Sequence, residues 1–371
     1  MTRIPKIIIP SDLLPLDGRF GSGPGRVRSI FVDDLARTGT SFMGTSHRRP
    51  TVKNVVADIQ HGLIDMYTLP EGYEIILGLG GATAFWDAAV FGLIENRSAH
   101  FVCGEFSEKF ASSVSQAPHL DDPVIIAADH GDAPQPEEVA GVDAVAFIHN
   151  ETSTGVVAPF ARLGDSLVIV DGTSAAGAIS FDVPSVDAYY FSPQKALGSE
   201  GGLWIAIVSP LALHRIEALA RSGRWIPPFL SLKAAMENSR MAQTYNTPAL
   251  ATLYLLARQI KFINESGGIQ WADSTVKATS NHVYGWAAMS QYADPFVQDV
   301  DLRSPTVVTI DLMGSVSAST VTSVLRDNSI VDTESYRRLG RNQLRIATFP
   351  NISIDDVQAL TGCIDYVVER L

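Results

Sequence analysis

Only two of the chain's 371 residues are cysteine, Cys103 and Cys363, and they lie far apart. That excludes a disulfide framework and any Cys-based metal spacing, and it suits a reducing, cytoplasmic compartment. No apolar run approaches the ~20 residues that a membrane-spanning helix needs. The N-terminal "MTRIPKIIIPSDLLP" holds a run of three isoleucines, too short for the apolar centre of a signal peptide, and its prolines predict an extended segment over residues 1–17. Positive charge is scarce: 28 Lys and Arg against 40 Asp and Glu give a net charge of −12. Such a chain repels polyanions, which excludes broad binding to nucleic acid or to anionic membranes. Internal repeats and low-complexity segments are missing as well. What remains, 46% apolar and 18% charged, is the composition of a soluble globular enzyme. Its length calls for one large domain and a smaller one.

The apolar residues come in short runs. "EIILGLG" (74–80), "AHFVCG" (99–104), "PVIIAA" (123–128), "AVAFIHN" (144–150) and "SLVIVD" (166–171) are nearly unbroken. That is the pattern of strands covered on both faces in a parallel sheet. "ATAFWDAAVFGLI" (82–94) predicts a helix after the first of them. Most intervals leave room for crossover helices or long loops, so an open α/β sheet is expected. One interval differs. "VDAYYFS" ends at Ser192 and "LWIAIV" begins at Leu203, leaving ten residues between them. That is short for a helical crossover, so the pair should run antiparallel and the sheet should be mixed, though mostly parallel.

Beyond Thr247-Pro248, "ALATLYLLARQIKFINESGG" predicts a helix closed by Gly267 and Gly268, and "IQWADSTVKATSNHVYGWAAMSQY" predicts another. A smaller α/β unit follows, with strand "TVVTIDL", helix "ASTVTSVLRDN", strand "QLRIATF" and a final helix from Ser353. Ser353 and Asp356 have the spacing of a capping box, with Asp in place of Glu. The division expected is a large domain over 18–268 and a small one over 269–371, joined by residues 1–17.

Open α/β sheets gather ligand groups at the carboxyl ends of their strands. Four candidates stand there. "GLGGAT" (78–83) puts glycines before a helix N-terminus, a place for a phosphate, though a tight structural turn explains it about as well. It is neither a dinucleotide fingerprint nor a P-loop, because Thr83 stands at the third glycine position and no Lys-Ser/Thr follows. Asp171 ends a strand, where a lone carboxylate would cap a helix or hold a cation. "HNETSTG" (149–155) clusters hydroxyls and an amide, which an ordinary polar loop would also do. Lys195, in "FSPQKALGSEGG" (191–202), lies on the connection between the antiparallel strands. Most loop lysines are solvated, but this one has apolar residues on one side and glycines on the other. A desolvated lysine has a lowered pKa, and its neutral amine attacks carbonyls. A phosphate cup, an acid for a ring nitrogen, hydroxyls for a phenolic oxygen and a Schiff-base lysine together make a pyridoxal phosphate site.

"SHRR", "HNETSTG", "VDGTSAAG", "SPQKALGSEGGLW" and "NTPAL", occurring together in this order along the chain, make the sequence resemble the phosphoserine aminotransferase family over nearly its whole length. The resemblance implies a fold-type I pyridoxal 5'-phosphate enzyme. By it, Lys195 carries the cofactor and Asp171 pairs with the ring nitrogen. Ala82, Thr83 and Gln194 bind the phosphate, Thr152 lies by the ring, and Phe106 stacks on it where many members have tryptophan. Asn246 and Thr247 reach the phosphate of a neighbouring subunit, which implies a homodimer with shared sites.

Substrate choice rests on arginine. "GTSHRRPTVKN" and "YRRLGRNQLRIATF" concentrate positive charge in an acidic chain, and guanidinium forks suit carboxylates and phosphates. By resemblance, Arg345 holds the α-carboxylate, while Arg48, helped by His47, holds the distal anion. Arg337 and Arg338 depart in spacing from the family's His-Arg pair, so neither they nor Arg49 and Arg341 receive a role. The reaction implied moves an amino group between L-glutamate and 3-phosphooxypyruvate, giving O-phospho-L-serine; 4-phosphohydroxy-L-threonine is a related substrate. A serine–pyruvate or alanine–glyoxylate aminotransferase would not need "SHRR". A cysteine desulfurase needs a mobile loop cysteine, and Cys103 and Cys363 fall in predicted regular elements. A nicotinamide dehydrogenase leaves Lys195 idle, and a phosphometabolite-binding protein has no need of Asp171, Gln194 and Lys195 together. No metal is expected.

Overall fold

The computed structural model describes residues 6–314 and 316–371. The first five residues of the expected extended segment therefore lie outside it. Helices α1 (Ser29–Thr38) and α2 (Pro50–Tyr67) lead into β1 (Glu74–Leu79) and α3 (Gly81–Gly92). Then come β2 (Ser98–Val102), α4 (Glu105–Ser115), β3 (Val124–Ala127), β4 (Ala144–Ile148), and the short pair β5 (Asn150–Glu151) and β6 (Val156–Val157). Strands β7 (Leu167–Asp171), β8 (Ala188–Phe191) and β9 (Leu203–Val208) complete the main sheet. Four helices follow, α5 (Pro210–Arg221), α6 (Leu232–Ser239), α7 (Leu250–Ser266) and α8 (Gly268–Met289). The last elements are β10 (Ala293–Pro295), β11 (Val307–Leu312), α9 (Ala318–Asp327), β12 (Gln343–Ala347) and α10 (Ile354–Val368).

The main sheet has the order β1-β9-β8-β7-β4-β2-β3. Only β9 runs against the rest, antiparallel to both β1 and β8, as the short interval after Ser192 requires. A side-chain period of two splits each apolar run between two layers. Val168 and Val170 of β7 pack on the side of α2 and α7, while Leu167 and Ile169 pack on the side of α3 to α6. Both faces are covered, which explains why the central strands carry hardly a polar residue. β3 departs from that expectation. It forms the edge, and Ile125 is 49% exposed, because no layer covers its outer side.

A second sheet, β10-β11-β12, is antiparallel and packs with α8, α9 and α10 around a separate core. Phe20 is buried in that core and is bonded along its backbone to Val331 and Ala347, so the segment before α1 is part of it. Among the described residues, no helix is long and apolar enough to cross a membrane.

The capping expectation at α10 is half met. Ser353 Oγ accepts the Asp356 N–H at 3.1 Å, but the Asp356 carboxylate turns away to Arg26 Nη1 at 2.7 Å and to the Asp17 N–H. A buried guanidinium outbids a backbone donor for the carboxylate, because an uncompensated buried charge costs more than an unpaired amide. Asp356→Ala should therefore destabilise the protein by about 3 kcal/mol, the usual result of stripping one partner from a buried ion pair. Asp356→Asn, which keeps one acceptor, should cost less. Urea unfolding followed by circular dichroism checks this, and a variant within about 0.5 kcal/mol of wild type would show that the pair contributes nothing.

Candidate active site

At the carboxyl end of β8 the chain enters residues 192–202, which close onto β9. Because β9 runs the other way, its starting glycines Gly201 and Gly202 meet the ends of the parallel strands, and the Gly80 N–H bonds the Gly202 carbonyl at 2.9 Å. A cavity of about 490 Å³ opens there. Its wall takes in Ala82, Thr83, Phe106, Thr152, Asp171, Gln194 and Lys195, seven of the residues singled out in the sequence. Gly80 and Gly81 have φ of 102° and 71°, left-handed values that a side chain would resist, and they turn the chain from β1 into α3. Ala82 and Thr83 thus fall in the first helical turn, where backbone N–H groups lack intrahelical partners.

Lys195 is buried, and its Nζ donates to Thr152 Oγ1 at 2.5 Å. Thr152 Oγ1 donates in turn to Ser174 Oγ at 3.0 Å, and the Ser174 hydroxyl donates to the Asn150 carbonyl at 2.8 Å. The Phe106 ring centroid lies 4.9 Å from Nζ. Burial pulls the Lys195 pKa down to about 8; Asp171 and Glu151 oppose the shift, and Arg345 adds to it. Asp171, the last residue of β7, is also buried, and its Oδ1 accepts the Thr173 N–H at 2.8 Å. Tyr190 lies beside it. Burial and the Asp171 charge keep the Tyr190 hydroxyl protonated, and Trp86 Nε1 donates to that hydroxyl at 2.8 Å.

Arg345 comes from β12 in the second sheet. Its Nη1 donates to the Thr152 carbonyl at 3.3 Å, so Thr152 touches both the lysine and this arginine. Its guanidinium carbon is 5.3 Å from the Tyr336 ring, and Tyr336 is 5.9 Å from Phe106. Burial lowers the Arg345 pKa, and Nε has no partner among the described residues. A cleft that shares Gly23 and Pro24 with the main cavity is lined by Arg345, Tyr336, Arg337 and Arg338. Arg338 pairs with Glu105 at 2.6 Å, whereas Arg341 turns to Asp311.

Four expected residues do not reach the cavity of their own chain. His47 and Arg48 precede α2; His47 is buried with Nε2 unpartnered among the described residues, and Arg48 is exposed. Asn246 and Thr247 are exposed before α7. The sequence reading also passed over several neighbours of Lys195. Gly23 lies close enough that a Cβ there would sit 3.2 Å from Lys195 Cε, a constraint that "GSGPG" (21–25) signals. Glu151 and Tyr336 gave no such signal, since their importance depends on which elements meet in space.

The family model for class-V aminotransferases matches residues 137–333. A relative from Mycolicibacterium vanbaalenii is 54% identical over 366 residues, covering 98% of each chain. The phosphoserine aminotransferase of Rhodococcus jostii is 52% identical over 374 residues and covers both chains in full. The chain belongs to the phosphoserine aminotransferase family. The phosphoserine aminotransferase of Cytophaga hutchinsonii shares its fold, with a TM-score of 0.87 at 22% identity over 94% of this chain and 98% of that one. The enzyme of Bacillus circulans subsp. alkalophilus superposes with a TM-score of 0.82 at 21% identity, covering 95% and 98%. Membership makes this chain an aminotransferase with the fold-type I architecture described above.

The desolvated lysine has a consequence for stability that this family's site must carry. Unfolded, Lys195 titrates at its ordinary value of 10.5; folded, it titrates at about 8. Between those values the unfolded chain binds more protons, so stability rises with pH across the window and the full cost is present below pH 8. Lys195→Met should stabilise the cofactor-free protein at pH 7 by up to about 3 kcal/mol. The variant should also lose the rise between pH 8 and 10.5. Urea unfolding at a series of pH values reads both effects, and parallel profiles for the two proteins would refute a buried, depressed amine.

Proposed function

We propose that the cavity around Lys195 holds pyridoxal 5'-phosphate and that the protein moves an amino group between L-glutamate and 3-phosphooxypyruvate, giving O-phospho-L-serine and 2-oxoglutarate. The observation that carries this reading is a buried amine beside a buried carboxylate in a cavity whose polar wall is incomplete. Gln194 Oε1, Asn150 Oδ1 and Thr173 Oγ1 are buried at that wall without partners among the described residues. Orphaned buried polar atoms are rare unless a ligand or water completes them. The cavity is also in the size range of a cofactor site.

The residues fit that cofactor. The first turn of α3, with Ala82 and Thr83, and the Gln194 amide suit its phosphate. Phe106 offers a face for the ring, Thr152 a hydroxyl at its edge, and Asp171 a carboxylate for the protonated ring nitrogen. Bound there, pyridoxal phosphate supplies the carbonyl that accepts an amino group and a ring that draws electrons from the substrate's Cα. Lys195 has two duties. Its amine would secure the cofactor and, when free, would take the substrate's Cα proton and deliver it to the cofactor carbon that bears the amino nitrogen, C4′. A pKa near 8 keeps an appreciable share of that amine neutral at physiological pH, as a base requires. Asp171 holds the ring nitrogen's proton in place, and Tyr190 and Trp86 hold Asp171's surroundings rigid. Arg345, with Nε still free, receives the α-carboxylate.

A homodimer in the cytoplasm completes the reading. Arg48, His47, Asn246 and Thr247 are outside their own cavity, and a second copy would bring their counterparts to it, Arg48 and His47 for the distal anion and the other two for the phosphate.

Two experiments test this. Borohydride treatment of the protein loaded with pyridoxal phosphate should fix the cofactor to one peptide, the one containing Lys195; modification of another lysine would overturn the assignment. Arg48→Ala should lower kcat/KM for phosphoserine and glutamate by roughly ten- to a hundred-fold while sparing slow transamination of alanine. Arg345→Ala should harm all three, because each has an α-carboxylate. Equal losses for alanine and phosphoserine in Arg48→Ala would remove the support for a distal-anion site.

A further inference from the structure

Helix α4 begins beside the site without a side-chain cap of its own. Its N-cap is Gly104, and the N–H groups of its first turn need acceptors from elsewhere. Ser153 Oγ accepts the Glu105 N–H at 3.1 Å, and Glu151, 47 residues beyond the cap, serves Phe106 and Ser107. One carboxylate oxygen, Oε2, accepts the Phe106 N–H at 3.1 Å, the Ser107 N–H at 3.1 Å and the Ser107 hydroxyl at 3.0 Å. The other, Oε1, accepts the Ser153 N–H at 3.1 Å and the Ser153 hydroxyl at 2.6 Å. Glu151 is fully buried, and no cation pairs with it among the described residues. Five donors and the positive end of α4 compensate its charge instead. The glycine at 104 belongs to the same arrangement, since a Cβ there would lie 2.5 Å from Glu151 Cγ and 2.6 Å from Ser153 Oγ.

A serine or aspartate at position 104 would have capped the helix more simply. A carboxylate brought from β5 does something that such a cap cannot: it fixes α4 relative to the strand end that carries Thr152. Phe106 hangs from one side of this clamp, with its N–H on Glu151 and its ring 4.9 Å from Lys195 Nζ. Thr152, the next residue after Glu151, accepts the Lys195 amine on the other side. The carboxylate therefore sets the distance between the aromatic wall and the lysine.

We propose that Glu151 is a positioning residue of the active site, holding Phe106 against the ring of the cofactor and in register with Lys195. The proposal rests on the reading that the cavity takes pyridoxal phosphate. Glu151→Gln keeps the shape but offers one acceptor oxygen where two are used, and its amide N–H₂ faces other donors. With pyridoxal phosphate as the probe, the variant should bind at least tenfold more weakly than wild type. The visible circular dichroism of the bound cofactor, which reports how its ring sits in the protein, should change in the same sense as in Phe106→Ala. The double variant Glu151→Gln/Phe106→Ala should be little worse than Phe106→Ala alone, because Glu151 acts through Phe106.

A helix cap with no part in positioning would give a different result: lower thermal stability with unchanged affinity and dichroism, or losses that add in the double variant. Either would overturn the proposal. Should Glu151→Gln fail to fold, Ser153→Ala removes the 2.6 Å bond to the carboxylate and the acceptor of the Glu105 N–H while leaving Glu151 in place, and a two- to threefold loss of affinity with the same dichroic change is expected. An unaltered Ser153→Ala would then count against Glu151. A wild-type protein that takes up no pyridoxal phosphate would overturn the functional reading and this proposal together. Uptake by wild type that Glu151→Gln matches would overturn this proposal alone.

Discussion

A buried amine with no ion-pair partner among the described residues is the constraint on which the rest of this structure depends. Lys195 is buried with a neutral hydroxyl, Thr152, as its hydrogen-bond acceptor, and its ammonium form is accordingly disfavoured. Asp171 and Glu151 are near enough to temper that effect and too well occupied with backbone donors to cancel it. Two covered faces of a mostly parallel sheet supply the burial. The strand ends supply the polar groups, each held by a bond that leaves it little choice of orientation.

The second sheet completes this arrangement from outside the first. Arg345 reaches across from β12 to the Thr152 carbonyl, and Tyr336 lies between that arginine and Phe106. Arg338 joins the same loop to Glu105 at the start of α4. The segment after Asp17 ties in as well, through Phe20 in the second core and the Arg26–Asp356 pair. Arg345 and Tyr336 thus come with the second sheet and Lys195, Asp171 and Phe106 with the first, and Thr152 touches both Lys195 and Arg345.

Much of this was legible in the sequence because the informative residues are local in the chain. Unbroken apolar runs announced strands buried on both faces, and ten residues between Ser192 and Leu203 announced the antiparallel β9. Lys195 and Asp171 stood out because they stand where strands end, and Thr152 and Gln194 because their motifs resemble the family's. The misses have physical causes. β3 reads like its neighbours, but a strand's place at an edge depends on sheet order, which composition does not encode. Asp356 has capping-box spacing, yet a guanidinium 330 residues away claims its carboxylate. Glu151 looks like one more polar residue in "HNETSTG" until α4 is docked against it. His47 and Arg48 stand out as charges, but their distance from their own cavity is a property of the folded chain.

The reversed direction of β9 limits how far Lys195 can stray. A lysine on an open loop would wander once its bond to a cofactor was broken, and its return would be a search. Here Lys195 lies on a connection of eleven residues stapled at both ends to strands of the same sheet, with the Gly25 N–H bonded to the Gln194 carbonyl at 2.6 Å. A released amine stays within a side chain's length of where it was, at an effective concentration far above any that free amines reach in solution. In the function proposed above, displacement by an incoming amino acid would then be readily undone, and the protein would keep hold of its own nucleophile between turnovers.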